Sequence, residues 1–212
     1  MNLEKYELIF LDFDGVIKES VMIKTDSFVE LFKPYGEDIA NKIRHHQVES
    51  GGMSRYEKIP LYFKWLNIYP SEDELDIVFN DFSKLVKDKV IKSLWVPGIV
   101  EFLKIHSGNI KYVIVSATPQ KELQSICESL KIDHIFSKIY GSPSTKSELI
   151  NRTISDYGVP LNLCVMIGDM QADIDAANNN KISFILRRHK FNKHIQNNSN
   201  FMEILDFKNF IK

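Results

Sequence analysis

The stretch LIFLDFDGVIKES, residues 8–20, decides how the rest of the chain is read. Leu8 to Leu11 form an apolar run of the kind a strand shows when both its faces are covered, and Asp12 and Asp14 stand at its end. Side chains at i and i+2 of a strand point the same way, so two carboxylates share one patch. Like charges held together are costly unless something cancels them. The rest of the chain must therefore bring positive charge to this strand end.

Working outward, further near-continuous apolar runs occupy residues 111–117, 137–142, 163–169 and 182–188, and the first run extends over 6–13. Helical periodicity fills 97–108, 119–130, 145–158 and 171–180. Alternation of this kind predicts a parallel sheet with helices on both sides. Residues 17–90 differ, with helical patterns and no strand signal. One helix stops at Pro34–Tyr35–Gly36 and another at Gly51–Gly52, while Ser54 with Glu57 and Ser71 with Glu74 carry the spacing of capping boxes. The reading is an α/β fold: a Rossmann-like parallel sheet core (1–16 and 91–212) flanked by helices, with a small all-helical cap (17–90) inserted after the first strand. Residues 189–200 read as a surface loop and 201–212 as a closing helix.

A chain of 212 residues has room for such a core and module. Its 27 Lys+Arg against 28 Asp+Glu leave no basic stripe, so nucleic acid is not an expected partner. No apolar run approaches the ~20 residues that cross a bilayer, and the charges in MNLEKYELIF mark a strand instead of a signal peptide. Membrane association is not expected, and the cytoplasm is the expected location. Cys127 and Cys164 show no metal-ligand spacing, and Cys164 reads as a small core residue.

Four other residues fall at strand ends or helix starts: Ser116 closing YVIVS, Lys146 opening a helix in GSPSTKSELI, Asp169 closing VMIGD, and Asp173 four residues on. Open parallel sheets bind ligands at the carboxyl ends of their strands, so Asp12, Asp14, Ser116, Lys146, Asp169 and Asp173 converge. Crowded carboxylates suit a hard divalent cation such as Mg²⁺. With Lys146 and the Ser116 hydroxyl, such a centre would attract a phosphate, and backbone N–H groups would cradle its oxygens. Asp12 is then free to act as a nucleophile. Asp14 is placed to act as acid and base, which requires its pKa to rise above the ordinary ~3.9.

The segments DFDGV, VSATP, the lysine of STKSE, and GDMQADIDAANN together resemble the four motifs of the haloacid dehalogenase superfamily, in order. The resemblance covers residues 6–15 and about 97–188, and residues 17–90 match that superfamily's helical cap position. It implies Mg²⁺-dependent phosphoryl transfer through an aspartyl phosphate. By that pattern Asp12 is nucleophile and metal ligand, and Asp14 is acid/base and supplies its backbone carbonyl to the metal. Ser116 and Ala117 contact phosphate, and Lys146 steadies both Asp12 and phosphate. Asp169 is a ligand, and Asp173 ligates directly or orients metal-bound water. Two positions depart from the pattern: Val16 removes a hydroxyl that could support Asp14, and Ala117 replaces a common Asn.

Each motif alone has a plainer reading: DFDG as a strand-ending turn, Asp169 as a helix cap, Lys146 as a surface lysine. Their occurrence in order favours the catalytic reading. In the cap, Arg55, His45 and His46 are the candidates to read the substrate, with Lys24, Tyr56 and Lys58 behind them. The expected activity is Mg²⁺-dependent hydrolysis of a small polar phosphate monoester, of a sugar, polyol or short-chain metabolite. The alternatives are a sugar phosphomutase on the same scaffold, with Arg55 taking a second phosphate, and a catalytically silent binding domain. Dehalogenation gives Asp14 no role.

Overall fold

The structure is a computed structural model that describes residues 3–49, 53–106, 110–197 and 200–211. Strand β1 (Leu8–Leu11) leads into four helices, α1 (Val21–Phe32), α2 (Glu37–Glu49), α3 (Arg55–Trp65) and α4 (Glu72–Lys92). There follow α5 (Ile99–His106), β2 (Lys111–Pro119), α6 (Gln120–Ser129), β3 (Lys138–Ser142), α7 (Lys146–Tyr157), β4 (Cys164–Gly168), α8 (Gln171–Asn179), β5 (Ser183–Arg187) and β6 (Met202–Ile204).

The strands lie in the order β3-β2-β1-β4-β5-β6, and every pairing is parallel. β1 sits between β2 and β4, with Leu11 opposite both Ile114 and Ile167. The chain crosses to one side of β1 and later to the other, and at that switch point a crevice opens beyond the strand ends. The carboxyl end of β1 is where Asp12 follows.

All four residues of β1 are buried, and they divide by the period of two. Leu8 and Phe10 join Val113, Cys164 and Met166 on one face, under α7 and α8. Ile9 and Leu11 face the other way, joining Phe102 of α5, Ile126 of α6, and Phe28 and Phe32 of α1. This second core continues into the helical cap, where Tyr62 meets Phe28 and Phe32 edge-on. The two chain crossings between cap and sheet run side by side: Glu19 N–H donates to Leu94 (2.8 Å) and Val96 N–H to Ile17 (3.0 Å). Between them the buried Lys18 ammonium donates to the Ile91 carbonyl and lies over the Trp95 ring.

Local signals account for three helix starts. Ser71 and Glu74 form the expected reciprocal box, and Thr145 and Glu148 form another ahead of Lys146. Ser54 caps α3 through the Tyr56 N–H, so the Ser54–Glu57 box is not the one made. The double glycine at 51–52 lies outside the described residues.

Two expectations near the end of the chain are corrected. Residues 201–212 are not a closing helix: Met202–Ile204 is a sixth strand paired with β5, followed by a 3₁₀ turn at Lys208–Phe210. Residues 189–200 are not simply surface, since Asn192 is fully buried and bonds to the backbone of Asp169 and Arg187. Short segments of mixed polarity have no periodicity of their own, and here sheet-edge pairing and side-chain bonds override it.

Candidate active site

Asp12 follows β1 with its N–H bonded to Ile167 of β4, which places its carboxyl beside Asp169 at the end of that strand. Gly15 makes the close approach possible: its φ is +84°, and a Cβ there would lie 2.2 Å from Asp169 Oδ2. Lys146, at the first position of α7, is buried and donates to Asp12 Oδ1 at 3.0 Å and to Asp173 Oδ1 at 2.5 Å. The other oxygen of Asp173 accepts the N–H groups of Asp169 and Met170, both at 3.1 Å. Both Asp173 oxygens are thus engaged, one by Lys146 and the other by the loop that carries Asp169.

The charges do not balance. Lys146 serves both Asp12 and Asp173, while no lysine or arginine among the described residues forms an ion pair with Asp169. Burial pushes Asp12 up to about 6 against the pull of Lys146, with Asp173 and Asp14 adding to the rise. Asp169 is driven well above the usual carboxylate range, first by burial and then by Asp12 and Asp173. Lys146 is held above its ordinary value even though burial works against it, because Asp12 and Asp173 outweigh burial. The Oδ1 atom of Asp169 is buried with no hydrogen-bond partner. Single carboxylate oxygens of Asp12, Asp169 and Asp173 all lie within 4.8 Å of one another. Three buried carboxylates that share one lysine, with one oxygen left partnerless, fit a hard divalent cation.

Asp14 is supported from a direction that its neighbour Val16 does not reveal. The Ser20 hydroxyl donates to Oδ1 at 2.5 Å, Lys24 of α1 forms an ion pair with Oδ2, and the Thr118 hydroxyl donates to Oδ2 at 3.3 Å. Ser116 Oγ in turn accepts the Thr118 N–H at 3.1 Å and donates to Thr118 Oγ1 at 3.2 Å. The hydroxyl lost at Val16 is therefore replaced by Ser20 one helical entry later. A cavity of about 80 Å³ opens over this group, with Ser116 and Ala117 in its wall beside Asp12, Asp14 and Asp169. Ser116 and Ala117 also border a second, larger cleft of about 420 Å³ that reaches Lys146, Ser144 and Ser54.

The sequence profile of the haloacid dehalogenase-like hydrolases matches residues 8–187. This chain belongs to that family. No curated protein sequence matches this chain, but solved structures share its fold. CbbY from Rhodobacter sphaeroides, crystallised with phosphate, superposes with a TM-score of 0.76 at 14% identity, covering 95% of each chain. β-Phosphoglucomutase from Clostridium difficile gives 0.74 at 21% identity, over 95% of this chain and 91% of that one. A predicted phosphoglycolate phosphatase from Haemophilus somnus gives 0.72 at 19% identity, over 96% and 95%. At these identities the likeness concerns the fold.

The cap treats its candidate residues unequally. Arg55 lines the 80 Å³ cavity, but its guanidinium is bound on two sides to Glu122 of α6 (2.6 and 2.8 Å) and to Ser83 of α4 (2.7 Å). Its charge is already answered inside the protein. His45 is exposed, and His46 bonds to the Tyr62 hydroxyl and stands edge-on to Tyr62 and Trp65; neither lines the cavity. Of the candidates ranked behind them, Lys24 and Lys58 line the cavity and Tyr56 does not; Gln47 and Met53, which the sequence did not single out, line it too, beside the apolar Val21, Phe28 and Phe82.

Sequence reasoning also missed Thr118 and His189. The VSATP motif contained Thr118, but strand periodicity gave no reason to prefer it over Ser116. His189 sits in the segment read as a surface loop. Its Nε2 is 2.7 Å from Asp169 Oδ2, while its Nδ1 accepts the Phe191 N–H at 3.1 Å. Because Nδ1 accepts, the proton is on Nε2 and is donated to Asp169. Burial, with Arg187 and His194, lowers His189 to about 4, so the ring is neutral at pH 7. It orients Asp169 without cancelling its charge and leaves Oδ1 directed elsewhere. No signal in the sequence marks it, since its partner is twenty residues away.

Proposed function

We propose that the protein is a Mg²⁺-dependent phosphatase of small phosphate monoesters, working through an aspartyl phosphate on Asp12. The carrying observation is the electrostatic state of the strand ends: Asp12 is oriented by Lys146 and stands beside a buried Asp169 oxygen that has no partner. Asp12 and Asp169 would hold the cation, with Asp173 fixing the Asp169 loop. The bound ion would neutralise the carboxylates and the phosphate oxygens, allowing an anionic nucleophile to meet an anionic ester.

The protein's own groups divide the work. Asp12 attacks phosphorus, and the bond to the ester oxygen breaks. Asp14 gives that oxygen its proton, so the alcohol leaves neutral. Water then attacks the phosphoryl group on Asp12 while Asp14 takes its proton back, releasing inorganic phosphate and restoring both carboxyl groups. Ser116, the Ala117 backbone and Lys146 border the space where phosphoryl oxygens would lie, and Ser20, Lys24 and Thr118 hold Asp14 for both proton transfers. The cap covers this chemistry. The cavity of about 80 Å³ over Asp14 is where the leaving group would lie.

The phosphatase reading stands ahead of the phosphomutase because Arg55, the residue expected to hold a second phosphate, is occupied by Glu122. Phosphate release from p-nitrophenyl phosphate tests it. Activity should require Mg²⁺, vanish with a chelator, and fall by at least ~10³-fold in Asp12→Asn. Equal release by wild type and that variant removes Asp12 from the mechanism. Formation of an isomer from glucose 1-phosphate with little free phosphate would favour the mutase.

A further inference from the structure

Among the cations in the wall of the smaller cavity, Lys58 differs from its neighbours. Lys24 is paired with Asp14 and Arg55 with Glu122. Lys58 lies on α3, one turn beyond Arg55, and is 4% exposed. The ammonium donates to Gln47 Oε1 at 2.8 Å, and Gln47 is fixed in turn by donating to the Tyr62 hydroxyl at 2.7 Å. The Phe28 ring lies 5.4 Å from the ammonium. No carboxylate among the described residues forms an ion pair with it. An ammonium has three protons to place, and a neutral amide and a ring face compensate a buried charge poorly. Burial, reinforced by Lys24, lowers Lys58 to about 7 in spite of Glu57 and Asp14. Val21, Phe28, Met53 and Phe82 in the same wall offer no anion, and the cavity's carboxylates, Asp12, Asp14 and Asp169, are engaged by Lys146, Lys24 and His189 and form no ion pair with Lys58.

We propose that Lys58 is a specificity-determining residue that pairs with a second anionic group on the non-phosphate part of the substrate, a carboxylate or a second phosphate. The inference rests on the phosphate-ester reading of the site. It moves recognition from Arg55, whose charge Glu122 has already answered, to the one cavity lysine that lacks a counter-charge among the described residues. Gln47 acts as a positioning residue, holding the ammonium by one proton so that the others face the ligand. A purely structural lysine in this place would affect folding but would not distinguish charged from neutral esters.

The test uses binding, so that it does not depend on turnover. In the Asp12→Asn background, calorimetry with Mg²⁺ compares two matched pairs: 3-phosphoglycerate against glycerol 1-phosphate, and glucose 1,6-bisphosphate against glucose 6-phosphate. The charged member of at least one pair should bind ~10- to 100-fold more tightly, the range of one charge-assisted hydrogen bond. The pair that shows the preference identifies the anion as carboxylate or phosphate. Adding Lys58→Met should reduce the preference to within ~3-fold, and Lys58→Arg should retain most of it. If Lys58→Met does not fold, Lys58→Gln takes its place. Absence of preference in both pairs, or its persistence without Lys58, overturns the proposal. Discrimination through Lys58 in a protein whose wild type releases no phosphate from any of the four esters would instead overturn the phosphatase reading and leave the anion site standing.

Discussion

Arg55 of α3 and Glu122 of α6 meet in a doubly hydrogen-bonded ion pair, 2.6 and 2.8 Å, with side chains only 3% and 6% exposed. It ties a cap helix directly to a core helix, and the Phe82 ring lies 4.6 Å from the guanidinium. Removing one partner of a buried pair strands the other charge. Glu122→Gln should therefore lower stability by ~3–5 kcal/mol in urea denaturation, and the double variant Arg55→Met with Glu122→Leu should recover most of it. Equal losses in single and double variants would show that the pair's charges carry no such weight.

The carboxylate cluster makes the metal-free protein sensitive to pH. The Asp12 carboxyl moves from an ordinary 3.8 to about 6 in the folded state, so between these values the folded protein holds more protons than the unfolded chain. The Asp12 contribution to stability must then fall as pH rises from about 4 to 6, while His189, lowered to about 4, contributes stability that rises over the same range. Asp169 is shifted in the same direction. At pH 7.5 without divalent ions, Asp12→Asn should melt above wild type, by ~1–3 kcal/mol. Mg²⁺ should close that gap by stabilising wild type more. A slope of stability against pH between 4 and 6 that is the same in wild type and Asp12→Asn in chelator would contradict this account of the strand ends.

His189 donates to Asp169 Oδ2 and leaves Oδ1 free for a cation. Loss of a partner that orients a ligand typically weakens a metal site ~10- to 100-fold. His189→Ala should raise the calorimetric Kd for Mg²⁺ by about that factor, and His189→Gln, which keeps a donor, should restore part of it. Unchanged affinity in both variants would reduce His189 to a packing residue.

Lys24 bonds to Asp14 and to the Thr118 hydroxyl at once. Lys24→Met frees the acid/base from one of its three supports, so kcat for p-nitrophenyl phosphate should fall ~10- to 100-fold, a part of what a general acid contributes. Ser20→Ala should cost less, because Lys24 and Thr118 remain. Wild-type turnover in Lys24→Met would show that Asp14 needs no such anchoring.

Much of the architecture was legible without coordinates. The strand runs ending at Asp12, Ser116 and Asp169 correspond to β1, β2 and β4, because a strand covered on both faces must be apolar at every position. The four helices between β1 and α5 were legible for a similar reason, since a 3.6-residue period reports a buried stripe. Segments without a period were misread. Met202–Ile204 is a strand only because the edge of β5 is there to pair with it, and residues 189–192 are drawn inward only because Asp169 and Arg187 offer acceptors.

The sequence by itself determined which chemical groups stand at the strand ends, since short-range burial patterns and turn residues encode where a strand stops. Only the tertiary structure decided which charges remain unanswered. Arg55 and Lys58 look alike as letters three positions apart, yet one is met by Glu122 from 67 residues away and the other by a neutral amide. Coulomb energy depends on distance through space and on exclusion of water, and neither quantity is written in the order of residues along a chain.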